Sequence, residues 1–162
     1  MIEYLPLIKK ENIEKLKDEI EKSLNCKLKI ENDIVTLDGE PLNVIKAKKV
    51  LEAYFSGFEL NDAINLISDE YILEVINVKD YTRKVNRMFQ LLGRVIGKKG
   101  KSKRKIEEVT NTKIIVNDKD KKIFILGKME KVLLAKRCVE MLLEGKKHST
   151  VFNFLDREIK KL

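Results

Sequence analysis

At 162 residues, 43% hydrophobic and 37% charged, the chain is long enough for one large domain or two small ones with real cores, and its composition excludes a disordered polyelectrolyte. No apolar run approaches the ~18 residues of a membrane span, and Met1-Ile2-Glu3-Tyr4 lacks the plan of a signal peptide, so a cytoplasmic location without a membrane partner is expected. Net charge is +8 but divided: residues 1–82 carry 11 Lys and Arg against 17 Asp and Glu, residues 83–162 carry 23 against 9. The basic second half is expected to attract a polyanion, nucleic acid before an anionic membrane surface.

In chain order, Tyr4, Leu5, Leu7 and Ile8 predict a short opening strand with Pro6 at its edge or end. Ile13, Leu16, Ile20 and Leu24 place a helix over 11–24, and 27–30 and 34–37 read as strands joined by the turn Glu31-Asn32-Asp33. Pro41 opens a helix that runs to Phe55 and stops at Gly57. A short apolar helix follows within 59–68, starting near Asn61 or Asp62; it is expected to pack between two units and fix their orientation. Residues 71–78 are strand-like, and Met88, Leu91, Leu92, Val95 and Ile96 recur at helical spacing. Gly97-Lys98-Lys99-Gly100 then makes a tight turn into a second helix carrying Ile106 and Val109. Strands at 113–117 and 122–126 flank the turn Asp118-Lys119-Asp120-Lys121; helices follow from Met129 to about Glu144 and from Thr150 to Leu162. Cys26 and Cys138 stand alone in apolar patterns and read as small buried hydrophobes.

The order repeats. Residues 44–52 match 132–140 at an offset of 88, with Gly39 on Gly127 and Gly57 on Gly145; upstream of the hairpin the offset is 86, placing Asn25 on Asn111 and Glu21 on Glu107. A difference in turn length explains the shift, and a tandem duplication follows. At the offset of 86 the glycine turn falls on Glu11-Asn12-Ile13-Glu14. Side chains there obstruct close approach and carboxylates repel phosphate, so nucleic acid should bind the second copy only.

The turn is the candidate site. Two glycines tolerate positive φ and leave no Cβ between backbone and ligand, the following helix aims its N-terminal amides there, and basic residues surround it. Arg94, Gly97, Lys98, Lys99, Gly100, Lys101, Lys103, Arg104 and Lys105 are the expected anion-binding set. The Gly100-Lys101-Ser102 tail of a Walker motif does not qualify, because the first glycine would fall at Val95 and the turn follows a helix instead of a strand.

Strand, helix, Gly-x-x-Gly, helix, strand, strand, helix resembles a type I KH domain, a clamp for about four single-stranded nucleotides. Residues 93–101, Leu142-Leu143-Glu144-Gly145, His148-Ser149-Thr150-Val151 and Phe154-Leu155 are similar to the tandem-KH ribosome-assembly family of archaea and eukaryotes, the partner-of-Nob and KRR-type small-subunit rRNA-processing proteins. The resemblance implies an archaeal member with an α+β fold of two type I KH domains (βααββα), the first with a degenerate Gly-x-x-Gly, plus a C-terminal helix. The expected boundaries are 1–58 for the degenerate domain, 59–70 for the connecting helix, 71–145 for the KH domain with its glycine turn and 146–162 for the last helix. It also implies binding to the 3′ region of small-subunit ribosomal RNA during ribosome biogenesis, with the maturation endonuclease and other assembly or translation factors as partners.

In that reading the turn amides, Lys98 and Lys99 hold phosphates. Lys101, Arg104 and Lys105 serve backbone and base edges, and a groove between the second helix and the adjacent strand receives bases. Val95, Ile96, Ile106, Ile114 and Val116 are groove candidates expected to serve mainly the core, and His148 is expected in a packing or capping role. No catalytic residue, metal or cofactor is expected, since Asp118 and Asp120 are accounted for by the hairpin turn. The alternatives are a non-catalytic protein-interaction scaffold and a translation-associated RNA-binding adaptor.

Overall fold

Alternation decides the first sheet: Leu28, Val35 and Leu37 are almost fully buried while Lys27, Lys29 and Ile34 face water. These residues lie on β2 (Lys27–Glu31) and β3 (Ile34–Asp38), which with β1 (Ile2–Pro6) form an antiparallel sheet in the order β1-β3-β2. The computed structural model describes residues 1–162 as two units, Met1–Tyr71 and Ile72–Leu162. In the first, β1 is an edge strand, which tolerates Pro6 and its missing N–H. The β2–β3 turn holds Asn32 and Asp33 at φ 52° and 60°, the left-handed pair that suits a two-residue hairpin.

One helix, α1 (Ile13–Leu24), precedes β2, and α2 (Pro41–Ser56) follows β3, so a single helix lies between the first two strands of this unit, as its residue pattern predicts but one fewer than the βααββα order that the resemblance implies. The short α3 (Leu60–Ile64) is capped at Glu59, earlier than the expected start at Asn61 or Asp62, and continues as a 3₁₀ turn over Asn65–Ile67. It packs on α2 and α1 of its own unit, with Ala63 and Leu66 buried.

The second unit has the KH order in full: β4 (Tyr71–Asn77), α4 (Val85–Ile96), the glycine turn, α5 (Lys101–Thr110), β5 (Lys113–Asn117), β6 (Lys122–Lys128), α6 (Met129–Leu143) and α7 (His148–Ile159). Its sheet has the order β4-β6-β5, the counterpart of the first. The strand β6 runs two residues past the expected Leu126, and α7 begins at His148, two residues before Thr150. Val95, Ile106, Ile114, Ile123, Ile125 and Leu142 meet in one core, and α7 closes it with Val151 and Leu155. Both cysteines are buried and free.

The duplication persists in detail. A Cβ added at Gly39 would lie 2.8 Å from the Cβ of Cys26, and one added at Gly127 would lie 3.0 Å from Cγ2 of Thr112. The same glycine packs against the same strand entrance in both units.

Candidate nucleic-acid interface

The turn forms because α4 ends abruptly. Gly97 caps it at φ 78°, ψ 172°, donating its N–H to the Gly93 carbonyl at 2.8 Å, and Gly100 at φ 74° donates to the Gly97 carbonyl at 3.1 Å. The two glycines serve different ends. A Cβ at Gly97 would sit 2.5 Å from the Cβ of Ser102 and 2.7 Å from its backbone nitrogen, so the turn folds tightly onto the first turn of α5. A Cβ at Gly100 would meet only the far end of the Arg104 side chain, at 3.3 Å; there the positive φ sets the residue type. Lys99 holds the left-handed conformation as well, at φ 56°, an unfavourable state for a residue with a Cβ.

The Gly97, Gly100 and Lys101 amides are engaged within the turn, and those of Lys98 and Lys99 have no partner outside it. Both side chains are exposed, as is that of Lys101. None of the three enters an ion pair, so three unpaired cations stand in the turn and the first residue of α5, where the helix dipole also favours an anion.

The remaining expected cations are engaged. Arg104 donates through Nη2 to the Lys99 carbonyl at 2.6 Å and braces the turn from below. Arg94 donates through Nε to the Leu142 carbonyl at 2.9 Å and through Nη2 to that of Lys146, tying α4 to the end of α6. Lys103 pairs with Glu107 at 3.3 Å, and Lys105 pairs with Asp156 of α7 at 3.4 Å. Of the apolar groove candidates, Val95, Ile106 and Ile114 are core, Val116 is half-buried and Ile96 is exposed.

His148 caps: its Nε2 donates to the Arg94 carbonyl at 2.9 Å, satisfying the end of α4. Two aromatic features, one on exposed Phe89 and one on half-buried Phe152, have no clear sequence signal. Phe89 carries the Lys121 ammonium 4.2 Å above its ring, and Phe152 of α7 stands edge-on to His148 with ring centres 6.1 Å apart. Lys121 lies 32 residues from Phe89, whereas His148 is one helical turn before Phe152 on α7; an aromatic at a helix position outside the apolar stripe is the available hint. Asp120 donates its N–H to Oδ1 of Asn117 at 2.9 Å in the β5–β6 turn, and no group of three or more acidic, His or Cys side chains comes together.

Residues 72–160 match the family described as the eukaryotic-type KH domain (KH domain type I), in the form found as the second such domain of PNO1 proteins. The chain belongs to this family. A KH domain-containing protein of Methanocaldococcus jannaschii is 43% identical over 160 residues, 95% of this chain and 68% of that protein. The RNA-binding protein pno-1 of Caenorhabditis elegans is 38% identical over 113 residues, 68% of this chain but 40% of that protein, so the chain spans well under half of this PNO1 relative. A chain in the a/eIF2α–aDim2p–rRNA complex of Pyrococcus horikoshii superposes with a TM-score of 0.80 at 29% identity, covering 100% of this chain and 96% of that one. The α+β class read from the residues and the KH fold implied by the resemblance agree with the family match and with this solved neighbour.

Proposed function

We propose that the second unit binds single-stranded ribosomal RNA of the small subunit, in its 3′ region, during ribosome biogenesis, as a non-catalytic cytoplasmic factor. The observation that carries this reading is the bare turn at residues 97–100: two positive-φ glycines with no Cβ and three exposed, unpaired ammonium groups at one helix start. That is a site for consecutive phosphates of a chain thin enough to lie against backbone, which favours a single strand. The P. horikoshii complex, which is one with rRNA, supports the choice of RNA.

The first unit lacks such a turn. At the offset of 86, Ile13 and Glu14 fall on Lys99 and Gly100 but are the first residues of α1, so helix replaces the second half of the loop. Its acidic surface suits a protein partner, with the rRNA-maturation endonuclease as one proposed candidate. A translation factor is a second, since the P. horikoshii complex also holds a/eIF2α. Affinity capture before and after nuclease treatment separates direct protein partners from RNA-bridged ones.

Affinity for single-stranded RNA should fall with salt at a log–log slope of about −0.7 for each phosphate neutralised. Lys98→Asp with Lys99→Asp should abolish binding in a protein that still unfolds cooperatively. Crosslinking in cells should recover nucleotides near the 3′ end of small-subunit rRNA, and unchanged RNA affinity in the double variant would remove the turn from the interface.

A further inference from the structure

Residues of α4, the glycine turn, α5 and α7 line an open cleft of about 480 Å³, within the size range of small-ligand sites. Its lining is mainly apolar, with Gly93 of α4 on one wall and Phe152 and His148 of α7 on the other. Lys98 and Lys101, two of the unpaired cations, stand at its edge. Ser102, also part of the lining, is 2% exposed, and its hydroxyl is the one buried side-chain polar atom without a hydrogen-bond partner.

Each feature has a physical reading. An added Cβ at Gly93 meets nothing within 4 Å, so the wall of α4 is open where a side chain would ordinarily stand. Phe152 is half-buried and lies outside the core cluster of its unit, so its ring is not committed to packing there. His148 uses Nε2 on the Arg94 carbonyl, which makes Nδ1 of the neutral ring an acceptor. An orphaned hydroxyl beside such a cleft costs stability unless something reaches it.

We propose that this cleft is a nucleotide subsite: the base next to the four held by the glycine turn enters it and stacks on Phe152, while its phosphate lies between Lys98 and Lys101. The proposal rests on the RNA-binding reading above and extends it to the α7 side of the turn. Continuity decides the occupant, because the same lysines border both the turn and the cleft, and a strand leaving the turn reaches Lys101 next. Base–aromatic stacking combined with a cationic edge is the usual means of holding a single strand. In this reading α7 serves recognition as well as closing the core.

The test uses the full chain and RNA selected from a randomised pool: the tightest-binding tetranucleotide, the same sequence lengthened by one nucleotide at either end, and the lengthened forms with an abasic sugar at the added position. One added nucleotide should tighten binding about five- to tenfold, with the abasic form losing most of that gain. Phe152→Ala should erase the gain and leave tetranucleotide affinity unchanged, Phe152→Tyr should restore it, and Gly93→Met should block it by filling the cleft. A gain that survives both Phe152→Ala and Gly93→Met, or equal losses for both lengths, overturns the subsite. If tetranucleotide binding is insensitive to Lys98→Asp with Lys99→Asp, the RNA reading of the turn fails as well, and that outcome is distinct from loss of the subsite alone.

Discussion

The carboxylate of Glu107 reaches from α5 to β5 and accepts the backbone N–H of Ile114 at 2.8 Å. Its counterpart at the offset of 86, Glu21, accepts the N–H of Leu28 at 3.1 Å in the other unit. The same helix-to-strand tie thus survives in both copies, including the one that has lost its glycine turn. Conserved geometry of this kind belongs to folding, since it is present with or without the basic site.

Glu107→Ala leaves a partly buried amide without an acceptor and should cost about 1–3 kcal/mol. Glu107→Gln keeps an acceptor and should cost less. Glu21→Ala should weaken the first unit in the same way. Denaturant melts of the three variants check this ranking; no change for either alanine would show that the amides find water instead.

The two turn glycines should respond differently to alanine. At Gly97 the new Cβ meets both the side chain and the backbone of Ser102, in addition to the left-handed strain, so Gly97→Ala should destabilise by more than about 2 kcal/mol. Gly100→Ala meets only the end of the Arg104 side chain, which need shift by only a few tenths of an ångström, and should cost about 1 kcal/mol. Thermal unfolding of both variants reads the order directly.

Lys99 offers a way to separate stability from binding. Lys99→Gly relieves a left-handed residue and should stabilise the fold by roughly 0.5–1 kcal/mol while removing one cation from the turn. RNA affinity should therefore fall in a protein that melts at a higher temperature. A parallel loss of both would mean that the lysine side chain supports the turn itself.

Burial pushes the Cys138 thiol up to about 12 against an ordinary value of 9.0, with nearby Arg137 opposing the shift in part. A group that holds its proton more tightly when folded stabilises the native state fully below pH 9.0, and that contribution is lost as pH climbs toward about 12. Cys138→Ala should remove this part of the alkaline decline in stability. In the native protein at neutral pH, Cys138 should resist alkylation until the second unit opens.

Much of this molecule was legible in one dimension. Period-two alternation marked β2 and β3, helical spacing marked α1, α2 and α4, and the pair of matching offsets exposed the duplication, because backbone geometry forces these patterns on any chain that buries one face. The bare, cationic turn was equally plain, since glycine and charge act through local backbone freedom and proximity along the chain. What the string of residues could not rank was the nine candidate site residues. Arg94 is spent on carbonyls near the end of α6 and Lys105 on Asp156, while Lys98, Lys99 and Lys101 stay free. Only the folded chain brings those distant partners within reach, and it alone sets Phe152 beside the turn. Charge is a property of sequence; whether a charge is available depends on which partner the tertiary structure delivers to it.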